Sequence, residues 1–205
     1  MKSHAHTWLS VCLWLTVTSA GLALMLRHDT TPAPVEPAPA VWPANQPIPF
    51  VSDRPTLVLF LHPKCPCSRA TIAELAQLMA DAGGKVSATV VMLRPASAET
   101  GWTNTDITRS AAAIPGVTTH MDVASVEAAA FHATTSGETF LYDAHGRLRF
   151  HGGITGARGH IGDNPGLRAV QSLVRTGTSP VAATATFGCP LQSPSTGSPR
   201  TPLSP

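Results

Sequence analysis

Charge is scarce in this chain. Only 13% of its residues are Asp, Glu, Lys or Arg, and Lys+Arg 14 against Asp+Glu 12 leaves a formal net charge of +2. It carries no basic stripe interleaved with aromatics, so the electrostatic footprint of a nucleic-acid binder is missing. No long run of like charge is available as an interaction tail. Aromatics make up 5%. No repeat recurs at a solenoid or propeller period. The chain has 4 cysteines and no Cys-x-x-Cys pair, which argues against a structural zinc ribbon. Proline and glycine, by contrast, are plentiful, with 19 Pro and 16 Gly gathered at the two ends and in one loop. That clustering separates attachments from a core. The length of 205 residues accommodates one domain of ordinary size plus those attachments.

Residues 1–28 read as a membrane anchor or signal. Lys2 precedes an uncharged run of 19 residues, 8–26, followed by Arg27. At 1.5 Å per residue the run covers about 28 Å, close to the hydrocarbon core of a bilayer. An uncleaved transmembrane helix is the first reading and a cleaved signal peptide its rival, with Thr18-Ser19-Ala20 as an imperfect small-residue site. Cys12 within the run is an apolar filler. Residues 29–49 form a Pro/Ala-rich linker, expected to be extended, semi-rigid and excluded from any packed core. Residues 192–205 are rich in Ser, Thr, Pro and Gly and are expected to be a disordered tail.

The remaining domain, 50–191, alternates strand and helix patterns. Residues 56–61 are continuously apolar, as in a strand buried on both faces. Residues 68–82 place Ile72, Leu75, Ala76 and Met79 on one helical face, and Gly83-Gly84 ends that helix. A strand over 86–93, a short helix over 106–113, a short strand over 117–122 and a helix over 124–133 follow. Strands over 139–142 and 148–151 flank the turn Asp143-Ala144-His145-Gly146. A helix over 165–175 starts at Pro165, with Asn164 as its cap. A β-α-β opening implies a parallel pair, and the late hairpin adds antiparallel strands. The expected class is therefore α/β, a mixed β-sheet flanked by helices, preceded by one N-terminal transmembrane helix.

The sharpest motif is Phe60-Leu61-His62-Pro63-Lys64-Cys65-Pro66-Cys67-Ser68-Arg69, where a buried strand hands over to a helix. With Pro66 at the first helical position, Cys65 falls at or near the N-cap. Unpaired backbone N–H groups and the helix dipole there favour a thiolate. Lys64 and His62 would add positive charge, the setting that makes a thiol a nucleophile. Cys67 would resolve a mixed disulfide, although a Cys65–Cys67 bond closes a very small ring, and strained disulfides are labile. Two alternatives stand beside this reading. The cysteines are simply buried small side chains, or Cys65 and Cys67 hold Cu(I) or Zn(II) together with Cys189 or His160.

The glycine-rich stretch 152–166 fails as a phosphate loop: it lacks a Gly-Lys-Ser/Thr ending and a Gly-x-Gly-x-x-Gly, and it follows a late hairpin. It reads as a backbone-determined crossover with Asp163 and Asn164 capping the last helix. Its functional alternative brings Arg158 and His160 near the cysteines. Cys189, in Phe187-Gly188-Cys189-Pro190, is a third thiol whose partner could be this site, another chain or nothing.

The strand–Cys motif–helix opening and the hairpin Thr139-Phe140-Leu141-Tyr142-Asp143-Ala144-His145-Gly146-Arg147-Leu148 resemble the thioredoxin superfamily. More closely, the chain resembles the RedB-type thioredoxin-like proteins of bacteria. The closer match rests on His62 through Thr71, on Gly152-Gly153-Ile154-Thr155-Gly156-Ala157-Arg158-Gly159-His160, on Gly162-Asp163-Asn164 and on Phe187-Gly188-Cys189-Pro190. The resemblance covers about residues 50–191 and implies a membrane-tethered thioredoxin-like domain. Two departures bear on activity. The spacing is Cys-x-Cys, with Ser68 where a second cysteine would stand. Ser136-Gly137-Glu138 replaces the stretch where thioredoxins carry a cis-proline, with Gly137 in the proline's place; the loss favours metal binding.

These readings lead to an expected thiol–disulfide oxidoreductase with Cys65 and Cys67 catalytic and no cofactor. Its partners would be a protein thiol or disulfide and, through the N-terminal helix, the inner membrane, but not nucleic acid. It would sit on the bacterial cytoplasmic membrane with its domain facing the periplasm. The alternatives are a copper-binding assembly factor using the same cysteines and a non-catalytic scaffold with a structural disulfide.

Overall fold

The computed structural model describes residues 2–34 and 36–191, so the expected tail at 192–205 lies outside the described residues. The chain divides into two units, Met1–Thr31 and Pro32–Pro205. The first is one helix, α1 (Lys2–Thr30). Its stretch His6–Thr30, 25 residues with a mean hydropathy of 1.9, is long and apolar enough to cross a membrane. Thr and Ser do not spoil the run. The hydroxyls of Ser10, Thr16 and Thr18 each donate to the carbonyl four residues back, on His6, Cys12 and Trp14. A polar side chain satisfied in this way costs little in apolar surroundings.

The second unit is built on a five-stranded mixed sheet in the order β3-β2-β1-β4-β5. The strands are β1 (Thr56–Leu61), β2 (Ser87–Arg94), β3 (Val117–Val123), β4 (Glu138–Tyr142) and β5 (Leu148–Gly153). β1 pairs parallel with β2 and antiparallel with β4. β2 pairs parallel with β3, and β4 antiparallel with β5. The helices are α2 (Ser68–Ala82), α3 (Asp106–Ala112), α4 (Val126–Phe131) and α5 (Pro165–Thr176). The element order is the one the periodicity predicts, with ends shifted by a few residues, and the class is the expected one, a mixed sheet flanked by helices.

β1 lies at the centre and all six of its residues are buried. Its period of two divides them between two cores. Leu57, Leu59 and Leu61 join Ile72, Leu75 and Leu78 of α2 and Leu167, Val170 and Leu173 of α5. Val58 and Phe60 face the other way, toward Phe131, Phe140 and Tyr142. The few aromatics of the chain concentrate on that second face, where Phe60 meets Phe140 edge-on at 5.7 Å. Each fully buried side chain of this size contributes about 1.5–3 kcal/mol. Two of the predicted caps hold: the Asn164 carboxamide oxygen accepts from the N–H of Leu167, and Gly83 ends α2 in the left-handed conformation.

The Pro/Ala-rich segment is not the detached spacer expected of residues 29–49. Ile48 is buried and joins the second core, with Ala38 and Trp42 packed against it. Trp42 stands edge-on to Phe131 and Tyr142, both at 5.3 Å. The backbone pairs as well, with Val41 bridging Arg147 and the N–H of Trp42 donating to the carbonyl of Gly146 at 2.8 Å. The Tyr142 hydroxyl donates to the carbonyl of Pro39. Proline lacks an N–H but keeps its carbonyl, so an extended proline-rich strap can still accept hydrogen bonds along a sheet edge.

Candidate functional site

β1 ends at Leu61 because Pro63 has no N–H with which to continue the ladder. The chain then tightens: Cys65 N–H donates to the His62 carbonyl, Ser68 to Cys65, Arg69 to Pro66 and Ala70 to Cys67, each three residues back. These bonds move the N-cap relative to the sequence expectation, while the helix starts at residue 68 as its periodicity predicts. α2 begins at Ser68 with Cys67, not Cys65, at the N-cap, and the Cys67 side chain makes no cap hydrogen bond. Cys65 sits two residues earlier, its carbonyl already committed to the tight turn.

Cys189 reaches the site from the other end of the domain. The N–H of Ser136 donates to the Cys189 carbonyl at 2.8 Å, and that of Leu191 to Thr134 at 2.8 Å. Thr135 bridges Pro190, and the Arg158 guanidinium donates to the Gly188 carbonyl at 3.2 Å. A Cβ on residue 188 would lie 1.8 Å from the Ser136 carbonyl oxygen, so only glycine permits this approach. The result is a cluster of three thiols. Cys65 Sγ and Cys189 Sγ are 2.9 Å apart, and the sulfurs of Cys65, Cys67 and Cys189 all lie within 4.8 Å of one another.

The three are not equivalent. Burial by itself would push the Cys65 thiol up. The hydrogen bond from Cys189 and the backbone N–H groups of Cys67, Cys189 and Ser68 outweigh it and hold Cys65 below the ordinary thiol value. Cys67 is raised by burial and by the negative charge of Cys65, with Arg158 opposing. Cys189 is pushed up to about 12 by burial and by its role as donor to Cys65, again against Arg158. Of the three, Cys65 is the thiol whose ionisation the site favours and Cys189 the one whose ionisation it opposes most.

The supporting candidates divide. Arg158 comes close enough to act on both Cys67 and Cys189. His62 stands at the rim: its N–H donates to the Ser136 hydroxyl at 2.9 Å and its Nδ1 accepts from the Lys64 N–H at 3.1 Å. Burial and the Lys64 charge lower its pKa, which opposes a charged imidazole. Lys64 does not serve the sulfurs as expected; its ammonium lies 3.6 Å from the centre of the Trp102 ring. His160 is exposed and stands outside the sulfur cluster, correcting its place in the metal alternative. Asp163 does not cap α5 but pairs with Arg168.

Sequence reasoning missed two residues. Ser136 links the halves of the site, accepting from His62 and bonding the Ser68 hydroxyl at 3.0 Å. Glu138 is fully buried and holds the loop before it. Its Oε2 accepts from the N–H groups of Thr134 and Thr135, and its Oε1 meets His151 Nε2 at 2.7 Å. A carboxylate opening an otherwise apolar strand was the available signal.

Chemically, a stabilised thiolate beside two thiols can exchange disulfides. The same donor set fits a soft metal ion, since thiolates select Cu(I) and Zn(II).

No protein-family model and no curated protein sequence matches the chain. Solved structures do. An uncharacterized conserved protein from Geobacillus kaustophilus aligns at 17% identity over 81% of this chain and 94% of its own, with a TM-score of 0.58. A hypothetical protein from Sinorhizobium meliloti 1021 aligns at 22% identity over 76% and 92%, with a TM-score of 0.52. A secreted disulfide oxidoreductase from Mycobacterium tuberculosis aligns at 22% identity over 46% and 66%, with a TM-score of 0.38. The first two likenesses are of fold; the third is too weak to bear on either fold or activity.

Proposed function

We propose that this chain is a membrane-tethered thiol–disulfide oxidoreductase in which Cys65 is the essential thiolate. The observation that carries the reading is the Cys65 sulfur, 2.9 Å from that of Cys189 and held below the ordinary thiol value. The cluster exchanges with the disulfide or dithiol of a protein partner, and Cys65 together with a second thiol completes the two-electron transfer. No cofactor is needed for this chemistry. The apolar helix α1 supports a tether in the bacterial cytoplasmic membrane with the thiols on the periplasmic side, where disulfides persist. The test is insulin-disulfide reduction by the full chain in detergent. Cys65→Ser should lower the rate at least ~100-fold, the scale on which loss of a catalytic nucleophile is felt; an unchanged rate overturns the assignment.

The three sulfurs within 4.8 Å favour one second reading, a copper-binding assembly factor using Cys65, Cys67 and Cys189. It predicts one Cu(I) bound per fully reduced chain and lost in Cys67→Ser. Failure of the reduced chain to compete with a chromogenic Cu(I) chelator removes it.

A further inference from the structure

We propose that the redox couple of this site is Cys65–Cys189 rather than Cys65–Cys67, and that the partner exchanges at the Cys189 sulfur. The inference rests on the oxidoreductase reading above and names the pair that carries it.

Proximity is the first argument. The Cys65 and Cys189 sulfurs already lie 2.9 Å apart. Closing a bond of about 2.05 Å between them asks for a movement of less than 1 Å. The Cys189 backbone is clamped on both sides, by Ser136 onto its own carbonyl and by Leu191 onto Thr134. Cys67, by contrast, is fixed at the start of α2, and a bond from it to Cys65 would close a very small ring inside a tight turn.

Access is the second argument. Cys65 is only 3% exposed, whereas Cys189 is half-buried. An incoming sulfur therefore meets Cys189 first. A partner thiolate attacks Cys189 Sγ, a partner–Cys189 disulfide forms, and the Cys65–Cys189 bond breaks with its electron pair on Cys65. The partner's second thiol gives up its proton and attacks the partner sulfur, and Cys189 leaves and takes up a proton. The net result is one partner disulfide formed and the Cys65–Cys189 pair reduced. Another protein disulfide restores the pair by the reverse exchange. Once Cys65 is again a thiolate, Cys189 returns as its hydrogen-bond donor, which stabilises the reduced state.

The experiment oxidises the full chain in detergent with oxidised glutathione, blocks free thiols and digests with trypsin without reduction. Cleavage after Lys64 and Arg69 leaves Cys65 and Cys67 on one peptide and Cys189 on another. The expected product joins the two peptides, survives in Cys67→Ser and falls at least ten-fold in Cys65→Ser. Under limiting reduced glutathione, glutathione should be found on Cys189. A Cys65–Cys67 bond within one peptide with Cys189 free, or glutathione on Cys65, overturns the proposal. Insulin reduction measured on the same samples separates the two levels. Activity that needs Cys65 without any Cys65–Cys189 link sinks this pair alone. Activity indifferent to Cys65→Ser sinks the oxidoreductase reading itself.

Discussion

Two segments build the site, and they are held in opposite ways. The segment around Cys65 is local: a buried strand, a proline stop, a tight turn and a helix follow one another within a dozen residues. The segment around Cys189 has no regular element of its own and is held by long-range bonds to Thr134, Ser136 and Arg158. The first gives the thiolate its backbone N–H groups. The second supplies the neighbouring thiol that lowers Cys65 further. A local motif thus makes the reactive group, and a distant clamp tunes it. The two share one hinge, Ser136, whose hydroxyl serves His62 and Ser68 while its N–H holds Cys189.

That division can be broken in steps. Phe60 is buried at the end of β1 between Phe131 and Phe140, and its carbonyl accepts from the Gly137 N–H. Phe60→Ala should cost about 3–5 kcal/mol of stability in denaturant titration, because the core beneath both segments is lost. Stability unchanged to within about 1 kcal/mol, a third or less of the usual cavity cost, would show that the second core does not support the site.

Gly188→Ala attacks the clamp alone. Its Cβ would collide with the Ser136 carbonyl, so the expected loss is about 1–3 kcal/mol. Alkylation of Cys189, followed by mass spectrometry, should accelerate strongly while α2 stays folded. Equal protection of Cys189 in the variant and the parent would contradict the clamp. The smallest effect is expected at Lys64. Its ammonium covers Trp102, an exposed cation–π contact of about 0.5–1 kcal/mol. Lys64→Met should therefore leave the titration of Cys65 in place, whereas a marked rise in the Cys65 midpoint would restore the charge role that its sequence position suggests.

The same contrast explains what the sequence disclosed. Continuous burial in residues 56–61, the helical face from Ile72 to Met79, the Asp143–Gly146 turn and the Asn164 cap are short-range signals, and each element stands where those signals put it. Cys65 and Cys67 were legible for the same reason. The N-cap was misplaced because the Cys65 carbonyl accepts from Ser68, three residues on, a choice of turn that residue types do not dictate. Cys189 was visible as a third thiol but not in space, since its position depends on glycine allowing a close approach to residue 136. Glu138 was hidden because its partners, Thr134, Thr135 and His151, are backbone groups and a side chain that meet only once β4 and β5 pair. The proline-rich segment was misread because composition reports the missing N–H groups and not the carbonyls that Tyr142 and its neighbours use.

The account turns on Cys65 being a thiolate that the fold stabilises. Its most direct test is the absorbance of the reduced full chain near 240 nm, followed against pH in the parent, Cys65→Ser and Cys189→Ser. The account predicts one thiolate that forms below the ordinary thiol value of about 8.5. It should vanish in Cys65→Ser and shift upward in Cys189→Ser, where the hydrogen bond that lowers it is gone. A low-titrating thiolate that persists in Cys65→Ser, or its absence from the parent, would contradict it.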